Sequence, residues 1–426
     1  MTRLLRRISW VADRIKTWHI FVVIFALRIV WALFSGYDRF ELNNDSGWIL
    51  RLMTETGKGV VNYDIGRFIV SPLYPFVGGL FQIVFGPWWL LALMLAQVVL
   101  AAWSGVWLYR LAVTLFSKET ALIATALFAL FPLTFWWTGT LASESPFQSL
   151  LIGTIYFLVK YTCSRYDGDL ISSVVFFSLA YLTKSHILLF APFIALYLWK
   201  NRISLKEGLT SAASYAAVSL LFSLPYGYHT FKNQGTYVLS SNGGSFHFYT
   251  GNSPFGYRSI VDIPERGTEE YRAMQAFEFT PFNGARHDSL MVLPQALKQK
   301  AYLLEAKEWI RSNPGKFAEL KVYNAAFFLI PGVSWRHYGL GQWLATFAMS
   351  LPIYFLAYLH LLRLIRRPEK AHLWMVYLFL TMLLFSMLFY VQNRFRTITL
   401  EPFYLLYAAE GMRRIMSSRV ETATHS

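Results

Sequence analysis

Apolar runs of membrane-spanning length recur along the whole chain, separated by short polar segments. A helix needs about 20 mostly apolar residues to cross a bilayer, so we expect an all-α polytopic membrane protein with about 10–12 transmembrane helices. The predicted spans are residues 18–35, 87–108, 120–138, 145–159, 170–183, 185–199, 209–225, 342–362, 372–390 and 398–412. The chain is predicted to form one integral membrane domain over residues 1–426.

Lysine and arginine gather in alternate connecting segments, and this sets the predicted orientation. With a cytoplasmic N-terminus, the cytoplasmic segments contain Arg3 to Lys16, Arg110, Lys118, Lys160, Arg165, Lys200, Arg202, Lys206, Arg363 to Lys370, Arg413, Arg414 and Arg419. Cytoplasmic loops of membrane proteins are enriched in these cations. We therefore expect both termini in the cytoplasm and two large loops on the opposite face, residues 36–86 and 226–317.

Two apolar segments do not fit a simple crossing. Residues 72–86 are too short to span easily, so interfacial helices are predicted in the first outer loop. If residues 318–332 crossed alone, the cluster at 363–370 would fall on the outer face. That segment is therefore expected to lie at, or re-enter, the outer interface.

Composition narrows the function classes. Hydrophobic residues make up 55% of the chain, aromatic residues 18% and charged residues only 15%. The net charge of +15 would suggest nucleic acid in a soluble protein, but here the cations flank apolar runs, so no nucleic-acid partner is expected. The single cysteine, Cys163, excludes an internal disulfide and a cysteine-rich metal site.

Charged residues of the predicted outer face are the candidates for chemistry. Asp45 follows two asparagines in the first outer loop, where it serves either as a helix N-cap or as a functional acid. Glu144 stands at the outer end of the third span, where it is either a cap or a second acid. Lys184 lies in a tight outer turn, and Arg394 and Arg396 lie at the outer end of the tenth span. These three cations lie on the outer face, although lysine and arginine are enriched on the cytoplasmic face. They are therefore expected to bind either lipid headgroups or a phosphorylated substrate.

Five motifs, in order, make the chain similar to a known superfamily. They are Asp45 with Arg67 and Pro72-Leu73-Tyr74-Pro75, Pro225-Tyr226 to Gly235, Gly251-Asn252-Ser253-Pro254, Trp309-Ile310 to Asn313-Pro314, and Arg394-Phe395-Arg396 to Pro402. Together they resemble the GT-C membrane glycosyltransferases, in particular the branch with protein O-mannosyltransferases and aminoarabinose transferases. The chain departs from that branch at Ser46, where a second acid is frequent, and at Tyr226, where tryptophan is usual.

The resemblance implies transfer of a sugar from a polyprenyl-phosphate donor to a protein, lipid or glycan acceptor on the non-cytoplasmic face. Such a reaction needs a base for the acceptor and cations for the departing phosphate. The implied catalytic acids are Asp45 and Glu144. The implied phosphate-binding residues are Arg67, Lys184, Arg394 and Arg396, and the implied acceptor or sugar contacts are Tyr63, Tyr74, His247 and Asn252.

Histidine spacing shows no metal-ligand pattern, so no obligatory metal is expected, although a divalent ion held by two outer carboxylates is not excluded. His247 is expected to be a packing residue rather than a catalytic one. Phe246, Phe248, Tyr249 and Tyr257 either stack on a sugar or form the core of the second outer loop. The expected location is a bacterial inner membrane, with the site facing the periplasm.

A transporter or lipid-linked sugar flippase is the alternative from another class. It predicts charges or broken helices at mid-membrane depth, where a substrate pathway needs them. The unusual charges instead gather at the outer boundary, apart from Arg28 in the first span. No internal repeat is visible either, and this distribution favours interfacial chemistry over transport.

Overall fold

The structure is a computed structural model that describes residues 2–35, 45–201, 203–275, 290, 292–333, 339–389 and 391–424. The side chains of residues 2–6, 45, 274–275 and 419–424 lie outside that description. Helices joined by short turns make up almost all of it, and its only β pairing is an isolated bridge between Asp64 and Ile69. The predicted all-α class is confirmed.

The α-helices of the described residues follow one another with few long connections. In chain order they are α1 (Thr2–Arg14), α2 (Thr17–Ser35), α3 (Asp45–Gly57), α4 (Leu73–Phe85), α5 (Trp89–Leu115), α6 (Lys118–Leu130), α7 (Pro132–Phe135), α8 (Glu144–Ser164), α9 (Asp167–Thr183), α10 (Ala191–Lys200), α11 (Leu205–Gln234), α12 (Gly244–Thr250), α13 (Pro254–Ile260), α14 (Glu269–Gln275), α15 (Gln295–Ser312), α16 (Pro314–Leu329), α17 (Leu340–Arg366), α18 (Leu373–Leu388), α19 (Asn393–Thr399) and α20 (Glu401–Thr424). Short 3-10 turns precede α5, α10 and α18, and another follows α7.

Five helical stretches of the described residues are long and apolar enough to cross a membrane. They are Thr17–Ser35, Leu73–Leu115, Leu205–Gln234, Leu340–Arg366 and Lys370–Leu388. Helix α6 and the segment Pro132–Gly139 form a sixth span if this pair, bent by 69°, is counted as one. Helices α8, α9, α10 and α20 cover the other predicted spans but are shorter or more polar, so ten crossings stay a prediction.

Helix α4 folds back along α5, so Leu73–Leu115 is not one straight rod. The Tyr74 hydroxyl donates to Gln97 Oε1 at 3.0 Å, although a continuous helix would hold these residues about 35 Å apart. The turn between the two helices contains Gly86, whose φ of 50° suits glycine. Residues 72–86 therefore pack under the first loop instead of crossing.

Helix α3 lies tightly against α4 through two adjacent glycines. A Cβ on Gly78 would stand 2.3 Å from the Met53 sulfur, and one on Gly79 would stand 2.5 Å from Thr56 Cβ. A Cβ on Gly79 would also stand 3.1 Å from the Gly57 backbone nitrogen, so a larger residue there would push α3 away from α4. The pair of glycines thus fixes α3, the helix that begins at Asp45, relative to the rest of the fold.

The two predicted outer loops form one layer over the same end of the bundle. The Ile69 amide donates to Asn242 Oδ1 at 2.7 Å, and the Asn242 amide donates back to the Ile69 carbonyl at 3.3 Å. Farther along, Gln295 Nε2 donates to Asp64 Oδ1 at 2.7 Å. These contacts join loop residues more than 170 positions apart in sequence, so the loops pack as a unit.

Helix α16 enters the bundle from this layer and ends inside it. Its Phe328 ring lies 5.7 Å from that of Phe379 in α18, nine residues or about 13 Å before α18 ends at Leu388. The Tyr358 hydroxyl of α17 donates to the Leu329 carbonyl at 2.8 Å. The last turn of α16 is therefore held well below the helix ends.

After α16 the chain turns back toward the loop-covered end of the bundle. The Val333 amide donates at 3.2 Å to Thr346 Oγ1, which is twelve residues nearer the start of α17 than Tyr358. Gly332 makes the turn with a φ of 79°, packed against the backbone of Phe347. This bend at Gly332 is the shape that a re-entrant segment would have, and the position of residues 318–332 in the membrane stays a prediction.

Candidate functional site

The charged cluster at the loop-covered end of the bundle begins with an ion pair between Glu144 and Lys184. Glu144 is the first residue of α8, and Lys184 follows the last residue of α9. Because α8 and α9 are consecutive antiparallel helices, the start of one meets the end of the other. Lys184 Nζ lies 3.0 Å from Glu144 Oε1, and the carboxylate is only 4% exposed.

Arg394 brings a second cation to the same carboxylate. Its Nη1 lies 3.9 Å from Glu144 Oε1, while its Nε donates to Gln392 Oε1 at 2.7 Å. Helix α19 is tied to α8 by Gln148, whose Nε2 donates to the Thr397 carbonyl at 3.3 Å. Among the described residues, one buried carboxylate thus faces two partly exposed cations.

Tyr74 of α4 lies near Glu144 and is buried. Its ring is 4% exposed, and burial, together with the nearby Glu144 charge, raises the pKa of its hydroxyl above the ordinary value. The hydroxyl is committed to Gln97. Tyr74 was predicted as an acceptor or sugar contact; the structure places it near Glu144 as a buried side chain, so its ring offers no surface to a sugar.

His186, two residues after Lys184, was not predicted as a site residue. Its ring packs among those of Phe147, Phe385 and Phe395 at centroid distances of 5.1 to 5.4 Å. Within the described residues its buried Nε2 has no hydrogen-bond partner. The tract Thr183-Lys184-Ser185-His186 was the only sequence signal for this position.

Arg67 and His247 lie next to the cluster in the loop layer. The Arg67 guanidinium is 6.0 Å from the centroid of the Phe246 ring, and His247 packs on Phe68 with ring centroids 5.0 Å apart. His247 also interacts electrostatically with His186. The structure therefore places Arg67 and His247 against the phenylalanine side chains of the loop layer.

Arg396 has a different environment from its predicted one. It is 1% exposed, and its guanidinium donates to backbone carbonyls at the end of α16 and in the turn beyond it. The acceptors are Phe327 at 3.3 Å, Phe328 at 2.7 Å, Ile330 at 2.6 Å and Gly332 at 3.0 Å. The prediction that Arg396 binds donor phosphate is not supported, because its Nη1 and Nη2 groups donate to the carbonyls at the end of α16.

Two predicted sugar contacts are also buried. Tyr63 is 2% exposed, accepts a hydrogen bond from the Thr56 hydroxyl, and has its pKa raised by burial to about 12. Asn252 is 1% exposed and its Nδ2 donates to the carbonyls of Phe248 at 2.6 Å and Leu388 at 2.8 Å. Both side chains hold the loop layer in place, so as they stand they are not available to a sugar.

Phe246 and Tyr249 form a small core with Tyr302, as one of the two sequence interpretations expected. Asp45 begins α3, but its side chain lies outside the described residues, so its catalytic role stays a prediction. No group of three His, Cys, Asp or Glu side chains able to hold a metal ion occurs in the part of the chain that the structure describes.

The fold is that of a solved membrane enzyme. The chain is similar to the archaeal oligosaccharyltransferase AglB from Archaeoglobus fulgidus, solved with an inhibitory peptide and a dolichol-phosphate, with a TM-score of 0.52 and 15% identity. The match covers 94% of this chain but 51% of that protein, so the chain spans about half its length. The likeness shows that this chain shares a helical fold with that protein over nearly its whole length, and the predicted GT-C-like fold is confirmed.

A family model locates the likeness more narrowly. Residues 70–229 match the model described as dolichyl-phosphate-mannose-protein mannosyltransferase. That range contains both Glu144 and Lys184 and runs from the first loop to the end region of α11. No curated protein sequence matches the chain.

Proposed function

We propose that the protein is a glycosyltransferase that moves a sugar from a polyprenyl-phosphate donor to an acceptor on the non-cytoplasmic face of the membrane. The observation that carries this proposal is the buried Glu144 carboxylate facing Lys184 and Arg394. Lysine and arginine side chains that stay partly exposed beside a buried acid can form charge-assisted hydrogen bonds with an anion. A phosphate ester at the head of a lipid is such an anion.

The chemistry divides among these groups. The acceptor oxygen attacks the anomeric carbon, the bond from that carbon to the phosphate oxygen breaks, and polyprenyl phosphate leaves. Lys184 and Arg394 stabilise the negative charge that grows on the leaving phosphate. Glu144 holds both cations in position, and Asp45 takes the proton of the acceptor. Because this is a single displacement from the face opposite the phosphate, the anomeric carbon is inverted.

The environments of two buried arginines, Arg28 and Arg396, argue against a transport pathway. Two described cations lie deep in the bundle, and each is bound to backbone at a helix break. Arg28 Nη2 donates to the Phe128 carbonyl at 3.1 Å, next to the break before Pro132, and Arg396 closes α16. These cations satisfy backbone groups rather than line a route for a substrate.

The orientation follows from the charge pattern of the sequence. The Glu144 end of the bundle would face the exterior or periplasm, and both termini would lie in the cytoplasm. Membrane lipids would surround the exposed apolar faces, such as Val30 and Phe34 of α2. The acceptor would be a protein, lipid or glycan, and Lys184 and Arg394 would neutralise the phosphate without an obligatory metal.

A matched pair of lysines tests the proposal. Lys160 Nζ lies 2.7 Å from the buried Asp169 Oδ1 at the opposite end of the same two helices. Purified protein is given a labelled polyprenyl-phosphate sugar mixture with cell-envelope extract, and release of polyprenyl phosphate is measured. We expect Lys184→Ala to lower release about 10²-fold or more and Lys160→Ala to leave it near wild type. Equal activity of the two variants would refute the assignment.

A further inference from the structure

A cavity lies in the loop layer, between α13 and the junction of α15 with α16. Its volume is about 320 Å³. This is within the range of about 300–1,000 Å³ typical of small-molecule sites. Its walls include the side chains of Tyr257, Arg258, Asp262, Trp309, Asn313 and Lys316. None of these residues belongs to the Glu144 cluster.

Two sequence motifs without an assigned role build this cavity. The Gly251-to-Pro254 motif supplies Ser253, whose Oγ accepts from the Gly256 amide at 3.2 Å and starts α13. The Trp309-to-Pro314 motif supplies Asn313, whose Nδ2 donates to the Trp309 carbonyl at 3.1 Å and ends α15. Both motifs therefore shape the walls of one site.

The cavity lies beyond the ends of the membrane helices. Asn252 Nδ2 donates to the carbonyl of Leu388, the last residue of α18, and Lys321 Nζ donates to the Gly251 carbonyl at 3.3 Å. Lys316 stands five residues, or about 7 Å, before Lys321 on α16. The cavity is thus at the same end of the bundle as Glu144, in a position open to water.

The aromatic side chains of the cavity are Tyr257 and Trp309. The Tyr257 hydroxyl donates to Glu319 Oε2 at 2.6 Å, and this bond raises the pKa of Tyr257 to about 12, so the ring is held and stays neutral. Trp309 is half-buried. Aromatic faces of this kind, apolar with a polar edge, cover the C–H surfaces of a sugar ring.

Its polar groups are of both signs. Arg258 and Lys316 donate, and Asp262 accepts. A polyhydroxylated ligand uses donors and acceptors together.

We infer that this cavity binds one or two sugar residues of a glycan acceptor, apart from the site that binds the donor. The inference rests on the proposed function and specifies its acceptor class as a saccharide. Its position on the Glu144 side of the bundle lets a bound glycan extend toward the cluster. Asp262 and Trp309 are then specificity-determining contacts, one for hydroxyl groups and one for a ring face.

Binding to a printed array of defined oligosaccharides tests the inference with the full-length protein in detergent. Asp262→Ala removes the acceptor in the cavity, and Glu265→Ala removes an exposed acid three residues away that does not line it. We expect wild type, Glu265→Ala and Glu144→Gln to bind one class of glycan. Asp262→Ala and the conservative Trp309→Phe should bind it at least tenfold more weakly.

A second measurement separates this inference from the proposed function. Donor hydrolysis in water, followed as polyprenyl phosphate release without acceptor, should be unchanged in Asp262→Ala and lost in Glu144→Gln. No glycan bound, or glycan binding equal in Asp262→Ala and Glu265→Ala, would overturn the inference even if hydrolysis proceeds. Retention of phosphatidylglycerol that Lys316→Ala abolishes, with no glycan bound, would replace the saccharide by a lipid headgroup.

Discussion

Replacing Arg396 with alanine should destabilise the fold, whereas replacing Arg394 should impair activity. Arg396 makes its hydrogen bonds in a buried site, three of them at 3.0 Å or less. Arg394 keeps a side chain that is 34% exposed and lies 3.9 Å from Glu144. The two arginines are two residues apart in one short helix, so each variant controls for the other.

The magnitude follows from the hydrogen bonds lost. A hydrogen bond to a charged group contributes about 1.5–3 kcal/mol, and a buried carbonyl left without a partner costs a similar amount. These terms are not additive, and removing one partner of a buried ionic network typically costs about 3–5 kcal/mol. We expect that loss for Arg396→Ala and about 0–1 kcal/mol for Arg394→Ala. Arg396→Lys should fall between, since an ammonium cannot reach all the carbonyls at once.

Heat inactivation in detergent measures the difference, because unfolding of large membrane proteins is frequently irreversible. Soluble monomer is followed by size exclusion after heating at one temperature. If the contacts of Arg396 are lost before the unfolding barrier, a 3 kcal/mol effect shortens the half-life about 10²-fold. Wild-type stability with a raised donor KM in Arg396→Ala would contradict the structural role and restore the phosphate assignment.

Three further predictions concern the first loop and the site. Gly79→Ala should cost about 1–3 kcal/mol by forcing α3 from α4, and it should lower turnover more than Gly341→Ala, at an exposed helical position with open space around it. Heat inactivation and polyprenyl phosphate release measure the two effects. Asp45→Asn should abolish transfer while a lipid-linked donor is still retained; near-normal transfer would remove Asp45 as the base. Turnover should survive EDTA, and a loss reversed by a divalent ion would show that the reaction needs a metal.

The sequence predicted the helical fold and placed Glu144 and Lys184 on the same face of the membrane, because hydropathy and helix-end charges are local signals. It did not distinguish Arg394 from Arg396. Residues two apart on a helix point about 200° apart, so one arginine faces the cluster and the other faces α16. Which side meets which neighbour depends on packing across the whole chain. Tyr63 was misjudged for the same reason, since its burial comes from distant partners.

His186 shows another limit of the sequence. Its surroundings are phenylalanine rings from α8, α18 and α19, which lie far apart along the chain. A histidine in a polar turn resembles a surface residue until those helices are assembled. Only the neighbouring Lys184 marked the position.

The closing of α16 by Arg396 has a consequence for the order of biosynthetic assembly. The carbonyls at the end of α16 leave the ribosome nearly 70 residues before the arginine that satisfies them. Exposed carbonyls are costly in lipid, so α16 cannot settle at its final depth while the chain is still short. Residues 314–333 would therefore stay at the membrane surface until α19 has been synthesised. A nascent chain arrested before residue 396 should leave α16 accessible to water-soluble reagents.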